Sequence, residues 1–281
     1  MKVLLFGGSG QLGQSIQKTQ LGSRSLVVTP RSLDLRDGAN IEQYVRAQQP
    51  DVVINAAAMT DVDGAHLEPD QAFLTNALGP AAIARACESV GARFLQVSTE
   101  AVFDGRQTTR YHEIDSCQPV SVYGASKLAG EHLARVYCSR TFVIRTSWLY
   151  SMDATMNFPT RLMRQLQDPT AVVRVVTDIV GNPTPASLLA EALLRIVDSQ
   201  IPAGTYHVCC TGAASKYDWA KQIMISMGID LNRLQMTTSN HYSTIAERPQ
   251  HVDLDTSRFA RLGLLELPDW RVAWEQAWVG Q

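Results

Sequence analysis

The sequence predicts an α/β protein: a Rossmann-type doubly wound parallel sheet with a smaller C-terminal lobe. Three observations predict it. Short continuous apolar runs alternate with helix-period segments over residues 1–150, the pattern of a parallel sheet covered by helices on both faces. The first apolar run opens directly onto a glycine-rich turn. After Trp148 the alternation loosens, yet no linker, repeat or low-complexity tract intervenes.

Each element has its own signal. Val3 to Phe6 is apolar without interruption, as a strand buried on both faces requires. A helix is expected from about Gln11 to Lys18, then a strand over Leu26 to Thr29 and a helix over Ile41 to Gln48. Asp51 to Ala57 reads as the third strand. Ala72 to Val90 reads as one helix, whose Ala77, Ala81, Ala84 and Ala86 are small enough to lie close to a sheet. Arg93 to Ser98 and Thr141 to Arg145 are strands flanking a helix over Val122 to Tyr137. Beyond Trp148, helices are expected over Asn157 to Gln167, Ala186 to Ser199, Lys216 to Met227 and Trp270 to Trp278. Val172 to Val176 and Tyr206 to Cys209 are the strands of that region. Trp270, Trp274 and Trp278 recur every four residues, as one helical face does; a core or subunit stripe is expected. The expected division is 1–150 plus 171–204 for the core and 151–170 plus 205–281 for the lobe.

Composition narrows the function classes. The chain has 281 residues, 45% of them hydrophobic and 19% charged, with a formal net charge of -2. That balance argues against a nucleic-acid partner, because it implies no strongly basic face. The opening apolar run is too short for a signal-peptide core, and no 18-residue apolar stretch exists, so no membrane partner is expected. The five cysteines include no C-x-x-C pair, and no compact His/Cys cluster has zinc-like spacing. Reduced thiols in a cytoplasmic protein without a metal are the resulting expectation.

The turn after the first strand reads Gly7-Gly8-Ser9-Gly10-Gln11-Leu12-Gly13. Gly7 and Gly10 would let the backbone approach a pyrophosphate, and Gly13 would let the helix pack on the strand. The helix N-terminus, with the backbone of Ser9, Gln11 and Leu12, supplies free N–H groups for phosphates. A dinucleotide is expected there; without a G-K-[ST] ending, a triphosphate loop is not. Arg31 and Ser32, at the end of the second strand, suit a 2′-phosphate and so tilt the cofactor from NADH toward NADPH, against the alternative of a solvated surface charge.

Tyr123 and Lys127 are four apart and so share one face of a helix. A free phenol has a pKa of roughly 10, and a cation at about 4 Å contributes on the order of 4 kcal/mol at a surface-like dielectric. At roughly 1.4 kcal/mol per pH unit, Lys127 could lower the phenol by about three units, toward the range that proton transfer prefers. Thr99 ends the fourth strand, where ligands bind in open α/β sheets, and its hydroxyl could polarise a carbonyl. Glycine loop, strand-end hydroxyl and Y-x-x-x-K, in that order, make a far stronger signal than any one alone.

Over nearly its whole length the chain resembles the dTDP-4-dehydrorhamnose reductase family of extended short-chain dehydrogenases/reductases. The segments that carry the resemblance are GGSGQLG (7–13), INAAAMTDVDGAH (54–66), STEAVFDG (98–105), YGASKLAGE (123–131), RTSWLY (145–150), GNPT (181–184) and RPQHVDLDTSR (248–258). The resemblance implies NAD(P)H-dependent reduction of the C4 carbonyl of a nucleotide-diphosphate 4-keto-6-deoxy sugar. Thr99, Tyr123 and Lys127 would be catalytic, and the C-terminal lobe would bind substrate. Arg31, Asp34 and Leu35 would lie on the adenosine side of the cofactor; Ala56, Ala57, Ala58 and Asn76 would border it. Thr60, Val62, Glu100, Trp148 and Arg248 would face the sugar nucleotide, and a homodimer is compatible with the family. The chain departs from the pattern at Glu100-Ala101, where Asp-Tyr is usual, at Ile179, where glutamine is usual, and at His251-Val252, all expected on the substrate side. Another nucleotide-sugar dehydrogenase or epimerase, or a cofactor-binding regulatory subunit, is the competing reading.

Overall fold

The computed structural model describes residues 1–19, 22 and 24–279. Its N-terminal part alternates β1 (Lys2–Phe6), α1 (Gln11–Lys18), β2 (Ser25–Val28), α2 (Gly38–Gln48), β3 (Val52–Asn55), short helices α3 (Val62–Leu67) and α4 (Pro69–Phe73), α5 (Gly79–Val90), β4 (Arg93–Thr99), α6 (Val122–Tyr137) and β5 (Thr141–Thr146). There follow β6 (Leu149–Tyr150), α7 (Phe158–Leu166), β7 (Val173–Val176), β8 (Val180–Gly181), β9 (Thr184–Pro185), α8 (Ala186–Asp198) and β10 (Gly204–His207). The chain ends with β11 (Ala214–Ser215), α9 (Lys216–Ser226), β12 (Leu234–Thr237), α10 (Ser257–Ala260) and α11 (Trp270–Val279).

Six strands form one parallel sheet in the order β10-β5-β4-β3-β1-β2. Its two faces explain the unbroken apolar runs. Val3 and Leu5 of β1 pack with Leu12 and Ile16 of α1 and Leu189 and Leu193 of α8. Leu4 and Phe6 point the other way, onto Ile41 and Val45 of α2 and Ala82 and Ala86 of α5. Strand order reverses at β1, so the carboxyl ends of β1, β3, β4 and β5 open onto one crevice.

The helix expected over Ala72 to Val90 is interrupted. A π-helical turn, Leu74–Leu78, separates α4 from α5. Pro80 has no N–H to give to the carbonyl of Asn76 four residues back, so the regular ladder fails there. Gly130 of α6 takes up the vacated side: a Cβ on it would lie 2.1 Å from the Asn76 carbonyl oxygen. The break thus lets α6 sit directly against the turn.

The lobe has its own core, in which Tyr150, Trp219, Trp270 and Trp274 are buried together. Trp278 stacks on Trp274 with ring centroids 5.9 Å apart, so the tryptophan stripe faces this core. The expected division between core and lobe cuts across the sheets. Gly204–His207 is a single strand of the main sheet, although 204 and 205 were expected in different units. Conversely Val173–Val176, expected in the core, pairs with β12 of the lobe. Both are non-local pairings that strand periodicity does not report. No helix among the described residues is long and apolar enough to cross a membrane.

Beneath the crevice lies a buried ion pair. Arg145 of β5 reaches Glu131 of α6 with Nη2 2.7 Å from Oε2 and Nε 3.0 Å from Oε1. Ser98 of β4 donates to Glu131 Oε1 at 2.5 Å. Glu131 is fully buried and Arg145 is nearly so. Removing one partner leaves an uncompensated charge, which costs roughly 3–5 kcal/mol. Glu131→Ala is therefore expected to destabilise the fold by about that amount in urea unfolding; an unchanged midpoint and slope would refute this role for the pair.

Candidate active site

One strand end and one helix start build the acid/base centre. β4 delivers Ser98 and Thr99, and α6 delivers Tyr123 and Lys127 from its first two turns. The α6 start is set by Ser121, whose hydroxyl accepts the Gly124 N–H at 3.1 Å. Lys127 crosses to β4 and donates from Nζ to the Val97 carbonyl at 2.7 Å. The Thr99 hydroxyl accepts from the Ala101 N–H at 3.1 Å and donates to Glu100 Oε2 at 2.8 Å. The structure therefore brings Thr99, Glu100, Tyr123 and Lys127 together at the carboxyl end of β4.

The electrostatics differ from the simple expectation. Burial raises the Tyr123 pKa well above its ordinary value, the neighbouring Glu100 charge raises it further, and a hydrogen bond with Thr99 opposes both. Lys127 does not act as the cation that pulls the phenol down, because its ammonium is turned to Val97. Burial lowers Lys127 itself to about 8, with Glu131 working the other way. Tyr123 is thus held as a protonated phenol, the form that an acid must have before it can donate. Burial raises the Glu100 carboxyl, opposed by its Thr99 bond and by Lys216.

The glycine loop packs tightly against its own scaffold. A Cβ on Gly13 would lie 2.1 Å from the Gly7 carbonyl oxygen, and one on Gly7, whose φ is +82°, would lie 2.6 Å from Ala57 N. Those two glycines pack the loop against α1 and against Ala56 and Ala57 at the end of β3. Gly10 is the N-cap of α1 without a side-chain cap, which leaves first-turn N–H groups for an anion. Ser9 and Gly10 are exposed, and Leu12 is core. The Gln11 side chain turns away to accept from Ser151 N and Asn157 Nδ2, each at 3.0 Å, so only its backbone faces the loop. Ala58 lies half-buried beside Ala57.

On the adenosine side the expected residues separate. Arg31 is exposed with no protein partner among the described residues. Asp34 is held by Arg36, whose Nε lies 2.9 Å from both carboxylate oxygens; those bonds hold its pKa down to about 2. Leu35 is buried against Gly79 as a packing residue. Asn76 uses its amide for bracing: it accepts from Met59 N at 2.8 Å and donates to Met59 O and to Ser126 Oγ, each at 3.0 Å.

A cleft of about 1380 Å³ has Arg106, Arg161, Arg174, Lys216 and Arg248 on its walls against Asp104 and Glu247; of the residues expected to face the sugar nucleotide, Arg248 alone lines it. Trp148 adjoins it with φ at +41°, a left-handed conformation rare for a bulky residue. Its ring lies between Gly181, where a Cβ would come within 2.5 Å of Cε2, and the Lys216 ammonium, 3.3 Å from the ring centroid. Thr60 is exposed and Val62 opens α3. Beside them Asp63 binds Arg248 in an ion pair at 3.1 Å, which ties the C-terminal segment to the core. Ile179 is on the cleft wall. Val252 is not: it is buried under Phe103 and Tyr111, so that departure belongs to packing. His251 bridges Val180 in a strand-like contact.

Sequence reasoning missed Lys216, which lies in none of the recognised segments, and passed over the pairing of Glu131 with Arg145, although both stand inside them. Only the non-local fold puts these residues at the site.

The family model described as "RmlD substrate binding domain" matches residues 1–279. A dTDP-4-dehydrorhamnose reductase of Escherichia coli (strain K12) is 34% identical over 286 residues, covering 97% of this chain and 95% of its own. The Mycobacterium tuberculosis (strain H37Rv) reductase of that name is 36% identical over 278 residues, covering 97% and 90%. The crystal structure of the Bacillus anthracis dTDP-4-dehydrorhamnose reductase in complex with NADP superposes with a TM-score of 0.94 at 30% identity, over 100% of this chain and 99% of that one. A UDP-glucose 4-epimerase of Thermus thermophilus, at 20% identity and a TM-score of 0.79 over 94% of each chain, shares the fold alone. Motifs, architecture and full-length similarity agree: the chain belongs to the dTDP-4-dehydrorhamnose reductase (RmlD) family.

Proposed function

We propose that this chain is an oxidoreductase that uses NAD(P)H to reduce the C4 carbonyl of a dTDP-linked 4-keto-6-deoxy sugar. One observation carries the reading beyond family membership: a protonated Tyr123 and the Thr99 hydroxyl stand together at the end of β4, with the Lys127 ammonium anchored behind them on Val97.

The residues present fit a dinucleotide. The uncapped start of α1 at Gly10 suits the pyrophosphate, Ala56 to Ala58 form the facing wall, and Asn76 braces that edge through Met59. Arg31, exposed and without a partner among the described residues, suits a 2′-phosphate, while Asp34 is occupied by Arg36; both favour NADPH over NADH. Bound there, the reduced nicotinamide supplies the hydride.

The chain's own groups handle the proton. Tyr123 donates its phenolic proton to the oxygen that becomes the C4 hydroxyl. Thr99 is the second donor to that oxygen, once its proton leaves Glu100 for the substrate. Lys127, a cation near neutrality, steadies the phenolate that Tyr123 becomes once its ammonium turns from the Val97 carbonyl, where it rests in this structure, toward the phenol. Trp148 walls the sugar, and the Arg248–Asp63 bridge holds the lobe over the cleft beside Thr60 and Val62.

Three outcomes test this. Tyr123→Phe should lower kcat by about 10²- to 10⁴-fold, the usual worth of a general acid, with reduced-cofactor binding retained; unchanged turnover sinks the mechanism. Arg31→Ala should raise KM for NADPH by roughly 10- to 100-fold, the range for a hydrogen bond to a charged group, and leave NADH unaffected; an equal change for both cofactors removes the 2′-phosphate role. The reduction should also slow as pH rises. Lys127 carries its charge below about 8 and loses it above, so kcat/KM should fall on an alkaline limb near that value. The limb should persist in Lys216→Met, and a flat profile through pH 10 would count against Lys127.

A further inference from the structure

Lys216 is placed where a lysine is hard to explain by folding alone. It is the first residue of α9, after the Ser215 cap whose hydroxyl exchanges hydrogen bonds with Asp218. A cation at a helix N-terminus opposes the positive end of the macrodipole. Its backbone N–H is tied to the Ile179 carbonyl at 3.0 Å, so the side chain cannot swing far from the cleft wall. The ammonium rests on three aromatic rings, 3.3 Å from the Trp148 centroid, 4.9 Å from Phe158 and 5.0 Å from Trp219. Those rings can balance its charge but accept none of its three N–H bonds along the usual directions.

Among the described residues, no carboxylate oxygen lies within 4.0 Å of that ammonium, and no residue accepts a hydrogen bond from it. Yet Glu100 is near enough for the two charges to act on each other. Glu100 in turn commits Oε2 to Thr99 at 2.8 Å, and among the described residues only its own backbone N–H otherwise approaches the carboxylate as a donor. The two meet near the sheet's carboxyl end: the half-buried Lys216 rests on Trp148, two residues past Thr146, which pairs with Thr99, and the half-buried Glu100 follows Thr99 directly.

We propose that Lys216 and Glu100 together grip the C3 hydroxyl of the keto sugar, Lys216 donating to it and Glu100 accepting from it. This rests on the reading of the site as a 4-keto-sugar reductase. The position follows from the chemistry of that substrate. Thr99 meets the C4 oxygen, and Glu100 is bonded to Thr99. Of the two carbons next to C4, C5 carries hydrogen, the C6 methyl and the ring oxygen, while C3 carries a hydroxyl. Only the C3 hydroxyl is both vicinal to the reacting carbonyl and able to give and take a hydrogen bond. The grip also draws Glu100 toward the sugar, which frees the Thr99 proton for the C4 oxygen. Lys216 is therefore a specificity-determining residue as well as a positioning one.

The test compares two substrates in the NADPH-loaded enzyme: the dTDP-linked 4-keto-6-deoxy sugar and its 3-deoxy counterpart. Wild type should favour the hydroxylated sugar by roughly 10- to 100-fold in kcat/KM, as a site built around a charged hydrogen bond does. Lys216→Met keeps the apolar stem on Trp148 and removes the donors; its preference should fall to within about threefold of unity. Glu100→Gln, read by the same ratio, serves if Lys216→Met does not fold. A structural role alone would slow both sugars equally and leave the ratio intact, which overturns the proposal. So does a wild-type enzyme that turns over both sugars alike. Absence of turnover with either sugar would instead bring down the reductase reading, and this grip with it.

Discussion

Glu131 and Arg145 meet beneath the crevice, and the placement of the acid/base pair depends on their bond. Glu131 sits one helical turn beyond Lys127 on α6, while Arg145 belongs to β5 and Ser98 to β4. One buried carboxylate thus fastens the helix that carries Tyr123 and Lys127 to the two strands that carry Thr99 and lead to Trp148. The register of α6 follows: Lys127 reaches the Val97 carbonyl, and Gly130 seats on the π-helical turn at Asn76. A buried ion pair is weak evidence for net stability, since apolar residues could fill the same space. Here its geometry is what matters, because it orients a functional helix in one way.

The site works by opposed desolvation. Burial makes Tyr123 hold its proton and makes Lys127 and Lys216 hold theirs less firmly. An acid poised to donate and cations that respond to their surroundings then occupy one water-poor space. Glu100 links the two sides, since it bonds Thr99 and balances Lys216. The substitution of Ala101 for the family's aromatic residue leaves this link on the substrate side of Thr99 without a ring at position 101.

Local signals were legible in the sequence, and non-local ones were not. The glycine loop, the Tyr123–Lys127 spacing and the α6 limits are set within a few residues of chain, so periodicity and turn chemistry reveal them. The π turn at Asn76 combines a local fact, the missing N–H of Pro80 four residues on, with a remote one that the sequence does not report, the approach of Gly130. The membership of β10 in the main sheet and of β7 in the lobe depends on pairing partners far along the chain. Lys216 carried no local mark, because its meaning comes from Trp148, Phe158 and Glu100, which the fold gathers around it. The expected lowering of the phenol by Lys127 failed for a related reason: four-residue spacing shares a helix face, but it does not say where the ammonium points.

Cofactor stoichiometry tests the central claim most directly. Purified protein would be incubated with a dTDP-linked 4-keto-6-deoxy sugar and NADPH, and both cofactor absorbance and sugar product would be followed. The account predicts one reduced cofactor oxidised for each C4 carbonyl converted to a hydroxyl. A rearranged sugar with no net oxidation, or firm cofactor binding without turnover, would contradict it.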